Sequence, residues 1–153
     1  MSTLIRLHGL GSRLVEKLSW LPPALARISV GWSFAEGGWG KLHNLEKVIA
    51  YFTELGIPAP QLQAPFVAAV ELGGGVLLLL GLGTRFASVP LIATMAVAIA
   101  TAKASELESW TDVFATTEFL YVVIFVWLVI AGAGPLSLDA LILRKLEEAP
   151  AVV

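Results

Sequence analysis

The chain has 153 residues, of which 57% are apolar and 14% charged, with no cysteine and a formal net charge of −2. A soluble domain carries about 45–50% apolar and about 25% charged residues, so this composition favours a helical membrane protein. The absence of cysteine excludes disulfides, thiolate zinc sites and iron–sulfur clusters. The slight negative charge, without a basic cluster, argues against nucleic-acid binding.

Residues 3–20 form the first predicted element. Their leucines recur at helical spacing, with Arg6, Arg13 and Lys17 among them, which is typical of a helix lying in the membrane interface. Pro22 and Pro23 end this segment and begin the next helix.

Four membrane-spanning helices follow, at about 24–42, 64–83, 86–102 and 114–132. Each is close to the ~20 residues that a helix needs to cross the hydrocarbon layer. The sequence therefore predicts an all-α integral membrane protein: one membrane domain, 1–153, built as a four-helix antiparallel bundle. A second amphipathic segment, 44–56, is predicted at the membrane surface.

A short cytoplasmic helix is predicted at 137–148, with Ser137 as its cap and Asp139 in its first turn. The distribution of Lys and Arg sets the orientation. The predicted inner side carries Arg6, Arg13, Lys17, Arg27, Arg85, Arg144 and Lys145, and the outer side carries Lys41, Lys47 and Lys103. Both termini are therefore expected in the cytoplasm.

Three carboxylates fall inside the predicted spans: Glu36, Glu71 and Glu118. Counted from the helix ends, all three lie ~6–11 Å below the outer boundary. A charge facing lipid costs roughly 2.5–3.5 kcal/mol or more, so we expect these acids to face the bundle interior. Lys41 and Lys103 can reach the same layer by extending along their apolar stems.

Two interpretations of this acidic layer stay open. In the structural one, Glu–Lys pairs and Glu–backbone hydrogen bonds hold the helices together. In the functional one, the acids line a polar pocket that binds a head group or relays protons, because intramembrane acids are functional candidates. Trp39 and Tyr121 lie one turn from Glu36 and Glu118 and are the aromatic candidates for such a pocket.

A membrane haem held by two axial histidines of one chain is not expected. The chain has only His8 and His43, and the predicted topology places them on opposite sides of the membrane. No metal site is predicted either, since neither an HExxH motif nor a cysteine-based one is present.

Four short motifs occur in a fixed order: LGIP at 55–58, ELGGG at 71–75, LGLGTR at 80–85 and GPLSLD at 134–139. Over about residues 24–143, this set resembles the DoxX family of four-helix bacterial membrane proteins. Glu71 matches the family's acid before the glycine run, and Glu118 an acid at the start of its last span. Gly38 and Lys41 match its Gly-x-x-Lys ending of the first span, whereas Glu36 departs from the pattern.

The resemblance implies membrane redox metabolism, because the family includes a subunit of thiosulfate:quinone oxidoreductase. The leading hypothesis is a subunit of a quinone-linked redox system in the bacterial inner membrane. Glu71 and Glu118 would be its catalytic acids, and Glu36, Tyr121, Lys103 and Trp39 would contact the quinone. The expected partners are the lipid bilayer and either further copies of the chain or a redox protein. The alternatives are a non-catalytic anchor or assembly partner of a redox or metal-handling complex, and a small transporter.

Overall fold

The computed structural model describes residues 16–148, and within this range every regular element is a helix. The α-helices are α1 (Leu21–His43), α2 (Leu45–Glu54), α3 (Pro60–Leu80), α4 (Thr84–Thr101), α5 (Thr117–Ala131) and α6 (Leu138–Glu148). Short 3₁₀ helices at Ala104–Glu106 and Trp110–Ala115 connect α4 to α5. The all-helical prediction is confirmed, while most of the helix predicted at 3–20 lies outside the described residues.

Among residues 16–148, two helices are long and apolar enough to cross a membrane, namely α3 with 21 residues and α4 with 18. α5 is the most apolar of the helices but has only 15 residues. The complete four-span arrangement therefore stays a prediction, and so does its description as one membrane domain.

Local chemistry explains where the helix boundaries differ from the predicted ones. α3 begins four residues early because Pro60, expected to lie in the preceding turn, occupies the first helical position, where the missing N–H costs nothing. α5 begins three residues late because Thr116 is extended, with φ −78° and ψ 145°, and its side chain accepts a hydrogen bond from Phe119 N. Thr116 thus separates α5 from the 3₁₀ helix before it.

α1 and α3 pack with their backbones in direct contact. A Cβ on Gly38 would lie only 2.3 Å from Leu72 N, and one on Gly75 only 2.3 Å from Ala35 N. Gly31, Ala35 and Gly38 share one face of α1, so small residues of α1 allow the close approach, as they do in close pairs of membrane helices. Of the glycine run at 73–75, Gly75 lies in this contact.

The core joins this pair of helices to α4 and α5. Phe34 of α1 packs edge-to-face on Phe125 of α5, with ring centroids 5.0 Å apart. Leu78, Leu91 and Leu128 are fully buried beside them. The bundle interior is thus filled by aromatic and leucine side chains in its middle and at the end where α3 turns into α4.

That end of the bundle is held together by polar groups. Asp139 was expected to stabilise its own helix, α6, and the structure gives it a second role. Its carboxylate accepts hydrogen bonds from Gly83 N at 2.8 Å and Thr84 N at 3.3 Å, and so caps α4. Arg27 of α1 is 4% exposed and donates to Leu136 O at 2.7 Å. Ser137 caps α6 as predicted, accepting from Ala140 N at 3.2 Å. These contacts tie α6 to α1 and α4.

The glycine contact gives a direct prediction for stability. Gly38→Ala places a methyl group against backbone atoms of α3 that cannot rotate away. We therefore expect the free energy of unfolding to fall by about 2 kcal/mol or more. Gly40→Ala is the matched control, because a Cβ there meets nothing within 4 Å and helix propensity alone favours alanine. Thermal unfolding in detergent, followed by circular dichroism, compares the two variants. Equal melting temperatures for both would contradict the close contact.

Candidate functional site

A cavity of about 680 Å³ lies between α2, α3, α4 and the start of α5, beside the C-terminal half of α1. This size is within the range of ligand pockets in proteins. Its walls are mainly apolar and include Val48, Phe52 and Leu55 from α2 and the segment after it, Phe66, Val67 and Val70 from α3, and Pro90, Ala93, Val97 and Ala98 from α4. The cavity therefore suits a molecule that is largely hydrocarbon.

The ion pair between Lys41 and Glu71 lies on one side of the cavity. Lys41 Nζ is 2.5 Å from both carboxylate oxygens of Glu71. The Glu71 side chain is 5% exposed and that of Lys41 is 36% exposed, so the carboxylate is buried while the ammonium lies at the cavity surface. Lys41 reaches the acidic layer as predicted, and Glu71 faces the interior as predicted.

Glu118 and Tyr121 of α5 line the same cavity. Glu118 lies in the first turn of α5, where the helix dipole favours a negative charge. Its Oε2 atom is buried and has no hydrogen-bond partner among residues 16–148. Tyr121 packs edge-to-face on Phe34, with centroids 5.1 Å apart. An unpartnered carboxylate oxygen, a phenol and an ion pair thus share one apolar cavity.

Glu36 lies elsewhere, and the expectation that it faces the bundle interior is wrong. It is exposed on α1 and does not line the cavity. The reason is helical geometry: Glu36 is two positions from both Phe34 and Gly38, which are buried, and two positions turn the chain by ~200°. The depth estimate placed Glu36 along the helix but did not consider which face it occupies.

Trp39 and Lys103 also lie outside the cavity lining. Trp39 is 58% exposed, and its ring contacts His43 with centroids 4.2 Å apart. Lys103 pairs with Glu106 in the α4–α5 connection, Nζ to Oε2 at 2.9 Å. The hydrogen bond and the charge of Glu106 raise the pKa of Lys103 above its ordinary value. Of the predicted site residues, the fold brings together Glu71, Glu118 and Tyr121.

The contribution of α2 was missed. The segment 44–56 was assigned to the membrane surface, yet Val48, Tyr51 and Phe52 of α2 form one wall of the cavity. Its 3.6-residue apolar spacing was a usable signal, because such a face needs an apolar surface to cover, which a protein can supply as well as lipid. Lys47, on the same helix, adds a second cation to the lining.

The ion pair predicts a specific pattern of stability changes. Lys41→Met and Glu71→Gln should each destabilise the fold by about 2–3 kcal/mol, while the double variant loses less than the sum of the two. The control is the exposed pair Lys103 and Glu106, for which the same cycle should give no measurable coupling. Chemical unfolding of the six variants and the parent measures both couplings. Additive losses at Lys41 and Glu71 would show that the pair does not hold α1 to α3.

Comparison with known proteins identifies the family. A sequence model of the DoxX family matches residues 23–104, which include α1 from Pro23 onwards, all of α2 to α4 and the Lys41–Glu71 pair, but not Glu118. A Bacillus subtilis (strain 168) protein named "Putative oxidoreductase CatD" is 31% identical over 122 residues, covering 78% of this chain and 86% of the relative. No solved structure matches the chain at a significant level. The chain belongs to the DoxX family of membrane-associated proteins.

Proposed function

We propose that the chain is a membrane subunit of a quinone-linked redox system, with the cavity as its quinone site. In this proposal α1, α3, α4 and α5 span the bacterial inner membrane, both termini are cytoplasmic, and the cavity lies near the outer face. Family membership and the name of the Bacillus subtilis relative support a redox role. The cavity supports a ligand that is apolar apart from a small polar head.

One observation carries the proposal: the apolar cavity contains separate donor and acceptor groups. The Lys41 ammonium has three hydrogens to donate, and it donates to the two carboxylate oxygens of Glu71. Its third hydrogen is available to a carbonyl oxygen of the ligand. Glu118 Oε2 has no partner among the described residues and can accept from a ligand hydroxyl. A quinone ring carries a carbonyl oxygen at each end, and each of these becomes a hydroxyl in the reduced quinol.

The surrounding residues fit the rest of such a molecule. Phe66, Val97 and Ala98 offer an apolar surface for an isoprenoid tail, and Phe66 is 66% exposed at the outer surface of α3. A tail can therefore extend from the cavity towards lipid without crossing polar protein surface. A quinone supplies two-electron, two-proton chemistry when bound.

The part of the chain's own residues is to bind and to handle protons. Lys41 orients and polarises a carbonyl oxygen, and Glu71 keeps the ammonium in place. Glu118 takes a proton from a ligand hydroxyl or returns one, because its carboxylate is inside the cavity and is not committed elsewhere among residues 16–148. The sequence has no cysteine to build a thiol or iron–sulfur centre, so electrons come from a partner protein or a bound substrate.

A second candidate function is a non-catalytic anchor for a redox partner. It is favoured by the exposed Ala96 and Ala100 of α4, which lie outside the cavity lining and, four residues apart, form a pair of small side chains suited to close helix contact. In that case a quinone would not bind, and a partner protein would copurify from native membranes in mild detergent.

Quinone binding distinguishes the two functions. We expect Glu118→Gln to weaken the affinity for a short-tailed quinol by about tenfold, because the amide oxygen still accepts but lacks the charge that makes such a hydrogen bond roughly twice as strong. Glu36→Gln makes the same chemical change on the exposed face of α1 and should leave the affinity unchanged. Calorimetric titration of the purified protein in lipid nanodiscs measures both.

No saturable binding to the parent protein, or the same affinity for the parent and Glu118→Gln, would rule out the cavity as a quinone site. Circular dichroism spectra of each variant check that the fold is retained, which separates a lost contact from a lost structure.

A further inference from the structure

A second groove lies at the opposite end of the bundle, where α4 begins and α5 ends. It has a volume of about 450 Å³ and lies between the first turn of α4, the Gly132–Gly134 segment and the first turns of α6. It is separate from the cavity that contains Lys41, Glu71 and Glu118, since no lining residue is shared. The predicted orientation places it at the cytoplasmic interface of the membrane.

Arg85 supplies the positive charge of this groove. Its side chain is exposed and makes no ion pair or hydrogen bond with other residues in 16–148. The guanidinium lies over Gly132, where a Cβ would come within 3.3 Å of Arg85 Nε. Glycine at this position therefore leaves room for the guanidinium against the end of α5.

The acid of the groove, Asp139, makes no ion pair with Arg85 among residues 16–148. Asp139 lines the groove, but its two carboxylate oxygens accept from Gly83 N and Thr84 N. Those two hydrogen bonds fix the carboxylate on the backbone at the start of α4. The guanidinium of Arg85 is thus available to an anion that is not part of residues 16–148. A phosphate ester matches the geometry of its paired N–H donors.

The remaining walls are apolar and uncovered. Phe86 is 85% exposed, Leu143 59% and Ile142 47%, and all three line the groove. A free inorganic anion gains nothing from contact with apolar side chains, whereas the acyl chain of a lipid buries apolar surface against them. The groove therefore combines one unpaired cation with hydrocarbon surface beside it.

We propose that this groove binds an anionic phospholipid of the inner leaflet. The lipid phosphate pairs with the guanidinium of Arg85, and an acyl chain lies along Phe86, Ile142 and Leu143. Because the groove is lined by the start of α4, the end of α5 and the first turns of α6, a lipid bound here contacts all three helices. The inference rests on the membrane location in the proposed function but does not depend on a quinone.

The test counts retained lipids by native mass spectrometry of the full chain. Mixed micelles contain equal amounts of phosphatidylglycerol and phosphatidylcholine. The parent protein should retain phosphatidylglycerol preferentially, and Arg85→Gln should reduce that preference about fivefold, the effect of one cation near an anionic surface. Arg144→Gln removes a cation from α6 outside the groove lining and should preserve most of the preference.

Two controls make the result decisive. Arg85→Lys keeps the charge but loses the planar fork, so an intermediate preference is expected. Equal losses from Arg85→Gln and Arg144→Gln would overturn the site in favour of unspecific attraction. Competition by millimolar inorganic phosphate as effective as that by phosphatidylglycerol would overturn the lipid as ligand. Quinone titration of Arg85→Gln should match the parent, so failure of this site and failure of the quinone site are distinguishable.

Discussion

The direct backbone contact between α1 and α3 is the constraint on which the rest of the structure depends. Gly38 touches Leu72 at the peptide backbone, and the neighbouring residue on α3 is Glu71. Lys41 lies one turn beyond Gly38 on the same face of α1. Because the two helices approach this closely, the Lys41 ammonium reaches both oxygens of Glu71 from the side of the cavity.

The cavity arises because α3 does not approach α4 in the same way along its whole length. Near the turn that joins them, Gly74 lies against Leu91, where a Cβ would come within 3.0 Å of the leucine side chain. Towards the other end the two helices are separated by the cavity, and α2 forms its wall there. The tight α1–α3 pair thus carries the charges, while the wider α3–α4 separation provides the volume.

Burying an ion pair in an apolar cavity is not a route to stability, since desolvation offsets much of the attraction. The pair instead fixes the Lys41 ammonium, so that one of its N–H donors lies at a defined place in a cavity with mainly apolar walls. Glu118 adds a carboxylate oxygen without a partner among residues 16–148, a costly arrangement that a ligand or a water molecule would relieve.

Much of the fold and part of the site followed from the sequence. Long apolar runs predicted α3, α4 and α5 because helix length and apolarity are local properties. Pro60 at the first helical position and Thr116 as a cap shifted two boundaries, and hydropathy registers neither effect. Glu71 and Glu118 were found because acids in apolar runs stand out. Glu36 was misplaced because its face depends on where Gly38 meets α3, and the role of α2 depends on the separation of α3 from α4. Both are tertiary facts that no single segment contains.

Photolabelling of the protein in nanodiscs with an azidoquinone, followed by mapping of the labelled peptides, tests the central claim most directly. If the cavity binds quinone, labels fall on cavity residues of α2, α3 and α4, such as Tyr51, Phe66 and Val97, and excess unlabelled quinone prevents this labelling. Labels confined to the outer face of α1, for example at Trp32 and Trp39, or labels that excess quinone does not reduce, would contradict that claim.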